Sequence, residues 1–145
     1  MSLMESFIEK DFDRLRLRST DWTGPQEELD KLLSRMRIAM KNRNGVGIAA
    51  IQIGVPVRVC IANNHVIINP KVKKLGSIPQ PHDEGCLSLP NTIVRVKRKH
   101  SIELEYLDES LKLKKQTFKK FDAVVVQHEL DHLNGKLIID RGKKY

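Results

Sequence analysis

The segment that most constrains this chain is Val124-Val125-Val126-Gln127-His128-Glu129-Leu130-Asp131-His132, closed by Asn134-Gly135. Residues i and i+4 of an α-helix project from one face, so His128 and His132 can reach the same point beside that face. A glutamate directly after the first histidine can reach a water held there and take its proton. The lead-in Val124 to Val126 predicts a helix sunk into the core, starting near Asp122 and stopped by Gly135. Such a helix either buries two satisfied histidines or binds a metal ion, and the pattern alone leaves both readings open.

The other elements must enclose that helix. Leu29, Leu32, Leu33, Met36 and Met40 recur at helical spacing between Gln26 and Asn42, with Thr23 as candidate cap and Pro25 in the first turn. Period-two or β-branched runs predict strands at Val57 to Ala62, His65 to Asn69, Ile93 to Lys97, Ser101 to Leu107 and Leu111 to Phe118, with a hairpin turn at Asp108-Glu109-Ser110. The expected fold class is therefore α+β: antiparallel β-sheets packed around a buried helix that carries the His-Glu-x-x-His motif. One catalytic domain over 1–145 is expected, with an extended N-terminal segment (1–24), a helix (25–43), strands and motif loops (45–118), the metal-binding helix (121–135) and a short tail (136–145). Met4 reads as the natural start.

A catalytic ion of this type needs a third protein ligand and an open position. Position 138, six residues after the second histidine, is Ile138, and no glutamate follows Glu129. The third ligand must then lie upstream, at Cys86, His65, His82 or His100. Thiolate chemistry and the Gly85-Cys86 setting favour Cys86; His82, after Pro81 in a loop, is the weaker rival. Cys60, in the alternating run Val57 to Ile61, reads as core. Two cysteines make no disulfide framework.

Three segments resemble the signature motifs of the peptide deformylase family, in the family's order: Gly45-Val46-Gly47-Ile48-Ala49-Ala50-Ile51-Gln52, Glu84-Gly85-Cys86-Leu87-Ser88 and Gln127-His128-Glu129-Leu130-Asp131-His132-Leu133-Asn134-Gly135. The resemblance spans about Pro25 to Ile139. It implies removal of the N-formyl group from N-formylmethionyl nascent peptides, with release of formate. It also implies one divalent metal ion on Cys86, His128 and His132, tetrahedral with water in the fourth position. That ion would be Fe2+ natively, with Zn2+, Ni2+ or Co2+ able to substitute; the mixed sulfur–nitrogen ligand set does not select among them. Glu129 would be the proton shuttle, and the Gln52 amide and Leu87 backbone N–H the oxyanion donors. Val46, Val124 and Val125 would line the methionine slot, Glu84 would border the peptide, and Gly47 and Gly85 would let its backbone approach. Asp131 reads as a supporting or packing residue rather than a ligand.

The chain departs from the family pattern at its margins. Asp11 to Arg16 is charged and lacks proline, and Asn91 and Ile93 stand where relatives often have glycine and, in some, arginine. With the tail stopping at Tyr145, the long C-terminal helix that some relatives use on the ribosome is expected to be absent or very short. The net charge of +8 points to a ribosome surface nearby, without the aromatic interleaving of a stacking platform. With no secretory signal and no long apolar run, a cytoplasmic monomer with no membrane or sequence-specific nucleic-acid partner is expected. Two rivals make different predictions. A metallopeptidase with the same helix would cut unformylated peptides, and a silent ribosome- or RNA-binding protein would bind RNA indifferent to chelators.

Overall fold

A computed structural model describes residues 7–144, with the side chains of 143 and 144 left aside. The proposed start at Met4 lies outside the described residues. The elements in chain order are α1 (Phe12–Leu15), α2 (Gln26–Lys41), β1 (Gly47–Ala49), a 3-10 turn (Ala50–Ile53), β2 (Val59–Ala62), β3 (His65–Leu75), β4 (Pro79–Cys86), β5 (Leu89–Lys99), β6 (Ser101–Leu107), β7 (Leu113–Lys119), α3 (Lys120–Leu133), α4 (Ile138–Arg141) and β8 (Lys143–Lys144). None of the described helices is long and apolar enough to cross a membrane.

Two antiparallel sheets result, one ordered β1-β2-β3-β6-β7 and the other β4-β5-β8. Strand β2 lies inside the larger sheet and is buried on both faces. Its alternate residues divide the core: Val59 and Ile61 meet Leu29, Leu33 and Met36 of α2, while Cys60 and Ala62 face Val125, Val126 and Leu130 of α3. The β2–β3 hairpin closes through Asn63 and Asn64, both at positive φ, which suits a two-residue turn and the tolerance of asparagine for that region. At the β6–β7 turn the Asp108 carboxylate accepts from the Ser110 and Lys112 N–H groups, so the polar run predicted as a turn is one.

Helix α3 touches β1, β2, β6 and β7 of one sheet and β5 of the other. Enclosure from both sides explains its apolar content: Ala123 to Val126 and Glu129 to Leu133 are all buried. Its C-terminus closes in a Schellman motif, with Lys136 N–H bonded to Asp131 O, Gly135 N–H to His132 O, and Gly135 at φ +76°. The N-terminal segment and the residue before β2 brace this end, because Ser19 N–H and the Arg58 guanidinium both donate to Leu133 O.

Several local expectations need correction. Thr23 does not cap α2; Pro25 holds that position without a side-chain bond. Helix α3 begins at Lys120, two residues before Asp122, whose carboxylate accepts from Asn63 Nδ2 in the first turn. The stretch read as a loop around His82 is strand β4. Pro79 and Pro81 fit there because β4 is an edge strand, where a missing N–H leaves no partner unsatisfied. The N-terminal segment contains the helical turn α1. The tail is not featureless either, since α4 packs Ile138 against Leu89, Val94 and Val96, and β8 pairs with β5.

Candidate metal centre

Strand β4 ends at Cys86, which pairs with Leu89 across a tight reversal and comes to rest beside α3. Cys86 Sγ lies 3.3 Å from His132 Nε2, and the His128 and His132 ring centroids are 5.1 Å apart. Ligand atoms of Cys86, His128 and His132 all lie within 4.8 Å of one another, the one such group among the described residues. The rival third ligands are not in this group. His65 opens β3 and sits 3.5 Å from Asp122, its ring edge-on to Phe118. His82 tilts against Phe121, and His100 lies between β5 and β6.

The charges around the cluster favour a cation. Glu84 is buried, and both its oxygens are bound: Oε1 accepts from Arg98 Nη2 at 2.8 Å and pairs with His128 Nδ1 at 2.9 Å, while Oε2 accepts from Arg98 Nε at 2.8 Å. Burial alone would raise its pKa, but the Arg98 and His128 contacts outweigh it and hold Glu84 at about 2. With Nδ1 turned to a carboxylate, His128 can keep its other nitrogen for an ion. Burial also opposes a charged His128, yet Glu129, Cys86 and Glu84 push its pKa well up, while burial and the His128 charge push His132 well down. The acids Glu84 and Glu129 beside the two imidazoles favour positive charge at this point.

Glu129 follows His128 into the same space. It is 3% exposed, its Oε1 has no hydrogen-bond partner, and burial raises its pKa to about 7. Gly47 makes room for it: a Cβ there would collide with Glu129 Oε2 and press on Ile61 O and Val125 Cγ1. The approach this glycine permits is that of the glutamate. At Gly85 a Cβ would make only ordinary contacts, with Ile93 Cδ1 at 3.7 Å.

Gln52 sits in the 3-10 turn after β1, 1% exposed. Its Oε1 accepts from Ala49 N–H at 2.9 Å, which fixes the amide flip, and its Nε2 reaches Ser88 Oγ at 3.2 Å and Cys86 Sγ at 3.5 Å. The turn itself is pinned from outside by Glu9 N–H on Gln52 O at 2.6 Å. These groups border a cavity of about 380 Å³. Val46, Gly47, Gln52, Glu84, Gly85, Cys86, Leu87, Val124, Val125, His128 and Glu129, all expected at the site, line it; His132 lies behind Cys86.

Ser88, Arg98, Arg141 and Phe121 are not expected from the sequence; His82, the weaker rival ligand, borders the cavity without joining the cluster. Arg98 had a legible signal, since Val94, Val96 and Arg98 alternate on the buried face of β5. An arginine on an apolar strand face needs a buried acid to meet it. Ser88 closes a quoted motif, but nothing local tells that its hydroxyl meets Gln52.

An α+β frame with a sulfur, two imidazoles and a buried glutamate at one cavity has the make-up of a metal-dependent hydrolase. A family model described as Polypeptide deformylase matches residues 4–145. The peptide deformylase of Mesorhizobium japonicum is 37% identical over 133 residues, covering 83% of this chain and 76% of the relative. Among solved structures, the class I type b peptide deformylase of Acinetobacter baumannii bound to Met-Ala-Ser is similar with a TM-score of 0.86 and 31% identity, over 94% of this chain and 96% of that one. The Thermotoga maritima peptide deformylase is similar with a TM-score of 0.87 and 32% identity, over 94% and 96%. The chain belongs to the peptide deformylase family. It is a hydrolase of formylated nascent peptides, and neither the metallopeptidase nor the silent binding protein is favoured.

Proposed function

We propose that the chain hydrolyses the N-formyl group of N-formylmethionyl peptides with one divalent ion held by Cys86, His128 and His132. The observation that carries this reading is the meeting of those three side chains beside a cavity that Cys86 and His128 line together with the Gln52 amide and Glu129, whose Oε1 has no partner. The donor set fits the ion: a thiolate and two imidazoles supply soft and borderline ligands, and the acids around them favour positive charge. When bound, the ion would supply Lewis-acid chemistry, acidifying a water and polarising the formyl oxygen. The thiolate suits ferrous iron as the native ion, as it does nickel, cobalt or zinc.

The side chains divide the remaining work. Glu129 takes a proton as the water oxygen bonds to the formyl carbon; a pKa raised by burial suits a base that must later act as an acid. Gln52 Nε2 can turn from Cys86 Sγ toward the developing oxyanion while Ser88 holds its other hydrogen, and the Leu87 N–H supplies a second donor. As the carbon–nitrogen bond breaks, Glu129 returns the proton to the leaving amine, and formate and the free N-terminus separate. Val46, Val124 and Val125 offer the methionine side chain an apolar wall, and the free edge of β4 offers the peptide backbone hydrogen bonds.

The Met-Ala-Ser held by the Acinetobacter protein suggests the assay. Protein loaded anaerobically with iron or nickel should release formate from formyl-Met-Ala-Ser and leave unformylated peptides intact. Glu129→Ala should keep its metal and lose about 10²-fold or more of the rate. Full activity in that variant would remove Glu129 as the proton carrier. Metal content unchanged in Cys86→Ser but lost in His82→Ala would overturn the ligand set.

A further inference from the structure

Asp131 stands one residue before His132 and is 7% exposed. Two guanidiniums meet it: Arg98 Nη1 donates to Oδ2 at 2.6 Å, and Arg141 grips both oxygens, Nη2 to Oδ1 at 2.9 Å and Nε to Oδ2 at 3.2 Å. Arg98 in turn forks onto Glu84, which holds His128 Nδ1. An unbroken series of bonds therefore runs from Arg141, whose side chain is 43% exposed, through Asp131, Arg98 and Glu84 to His128.

The charges in this series balance as two carboxylates and two guanidiniums. Without Arg141, one guanidinium would serve two buried carboxylates, and Arg98 could satisfy Asp131 more fully only by loosening its fork on Glu84. The tail is built to hold Arg141 in place. Ile138 is buried against β5, and Asp140 accepts from Leu137 N–H and from Arg16. At Gly142 the backbone passes so close to Arg95 O that a Cβ would collide with it, and β8 then pairs with Val94 and Arg95. Strand β5 thus carries Arg98 and also seats the segment that delivers Arg141.

We propose that Arg141 is a positioning residue for the metal centre: its two-pronged hold on Asp131 keeps Arg98 committed to Glu84 and so keeps the His128 ring aimed at the ion. The proposal rests on the metal-centre reading above. Partners that touch a ligand directly change metal affinity about 10–100-fold; Arg141 acts through three intervening side chains, so about a 3–10-fold change is expected.

The test uses metal-loaded protein. Wild type and variants are loaded anaerobically with Co2+, the thiolate-to-cobalt absorption band is recorded, and ion release to an excess of chelator is timed. Arg141→Gln should release cobalt about 3–10-fold faster with a shifted band, and Arg141→Lys should recover part of the loss. In an Asp131→Asn background, Arg141→Gln should add nothing, because its effect passes through Asp131. Arg37→Ala, which removes a comparably exposed arginine paired with Glu109 and outside this series, should release at the wild-type rate. Wild-type release from Arg141→Gln, equal acceleration in the Asp131→Asn background, or equal acceleration by Arg37→Ala would each overturn the proposal. Failure of the wild-type protein to bind cobalt with a thiolate band would instead overturn the metal-centre reading.

Discussion

Arg98→Met leaves a side chain of similar reach but removes the charge shared by Glu84 and Asp131. Three hydrogen bonds of 2.6–2.8 Å disappear, two from Glu84 and one from Asp131. Asp131 keeps Arg141, but Glu84 keeps His128 and only a long 4.0 Å approach from His82 Nδ1, so the cost concentrates at Glu84. Removing one partner of a buried pair costs about 3–5 kcal/mol. The lowered pKa leads to the same order: Glu84 at about 2 against an ordinary 4.5 corresponds to about 3 kcal/mol, shared between Arg98, the larger contributor, and His128. For a chain of this size that is a fall in Tm of roughly 10 °C. The pH dependence carries the sign. A depressed carboxyl pKa stabilises the fold fully above about pH 4.5, and that contribution is lost as pH falls toward 2. In the variant, burial without Arg98 raises Glu84 instead, so it is neutralised in mild acid, and the gap between the two proteins should narrow from pH 7 to pH 4. Calorimetric melts of both metal-free proteins at the two pH values measure this. A Tm within about 2 °C of wild type at pH 7, or a gap equally wide at both pH values, would refute the reasoning.

Three further outcomes follow from single contacts. Gly47→Ala pushes a methyl group into the Glu129 carboxylate, so formate release should fall at least about 10-fold while circular dichroism stays native; wild-type turnover would show that Glu129 has room to move. Ser88→Ala removes the acceptor that holds the Gln52 amide, and kcat should drop about 10-fold with metal content unchanged, measured by elemental analysis beside steady-state kinetics. Gly135→Ala combines φ +76° with a Cβ driven into Arg16 O, and should lower stability in urea titrations by about 1–3 kcal/mol; an unshifted midpoint would contradict the tight closure of α3.

Features that depend on neighbours along the chain are legible in the residues alone. The 3.6-residue spacing of Leu29, Leu32, Leu33 and Met36 sets α2 and its buried face, and His128, Glu129 and His132 share a face because helical geometry requires it. Gly135 stops α3 where only a residue at ease with positive φ closes the last turn. The family motifs carried the candidate site further, to Gln52, Leu87 and Cys86. Tertiary structure alone decided the rest. Strand β4 was hidden because Pro79, Pro81 and Gly85 have poor strand propensity, and only pairing along an edge of β5 makes them a strand. Residue chemistry left His82 as a rival to Cys86, and the bulge between Glu84 and Cys86 is where the register shifts before Cys86 meets α3. The series from Arg141 to His128 joins residues up to 57 positions apart, as Glu84 is from Arg141. No local period encodes it, because a buried charge finds its partner through the whole fold.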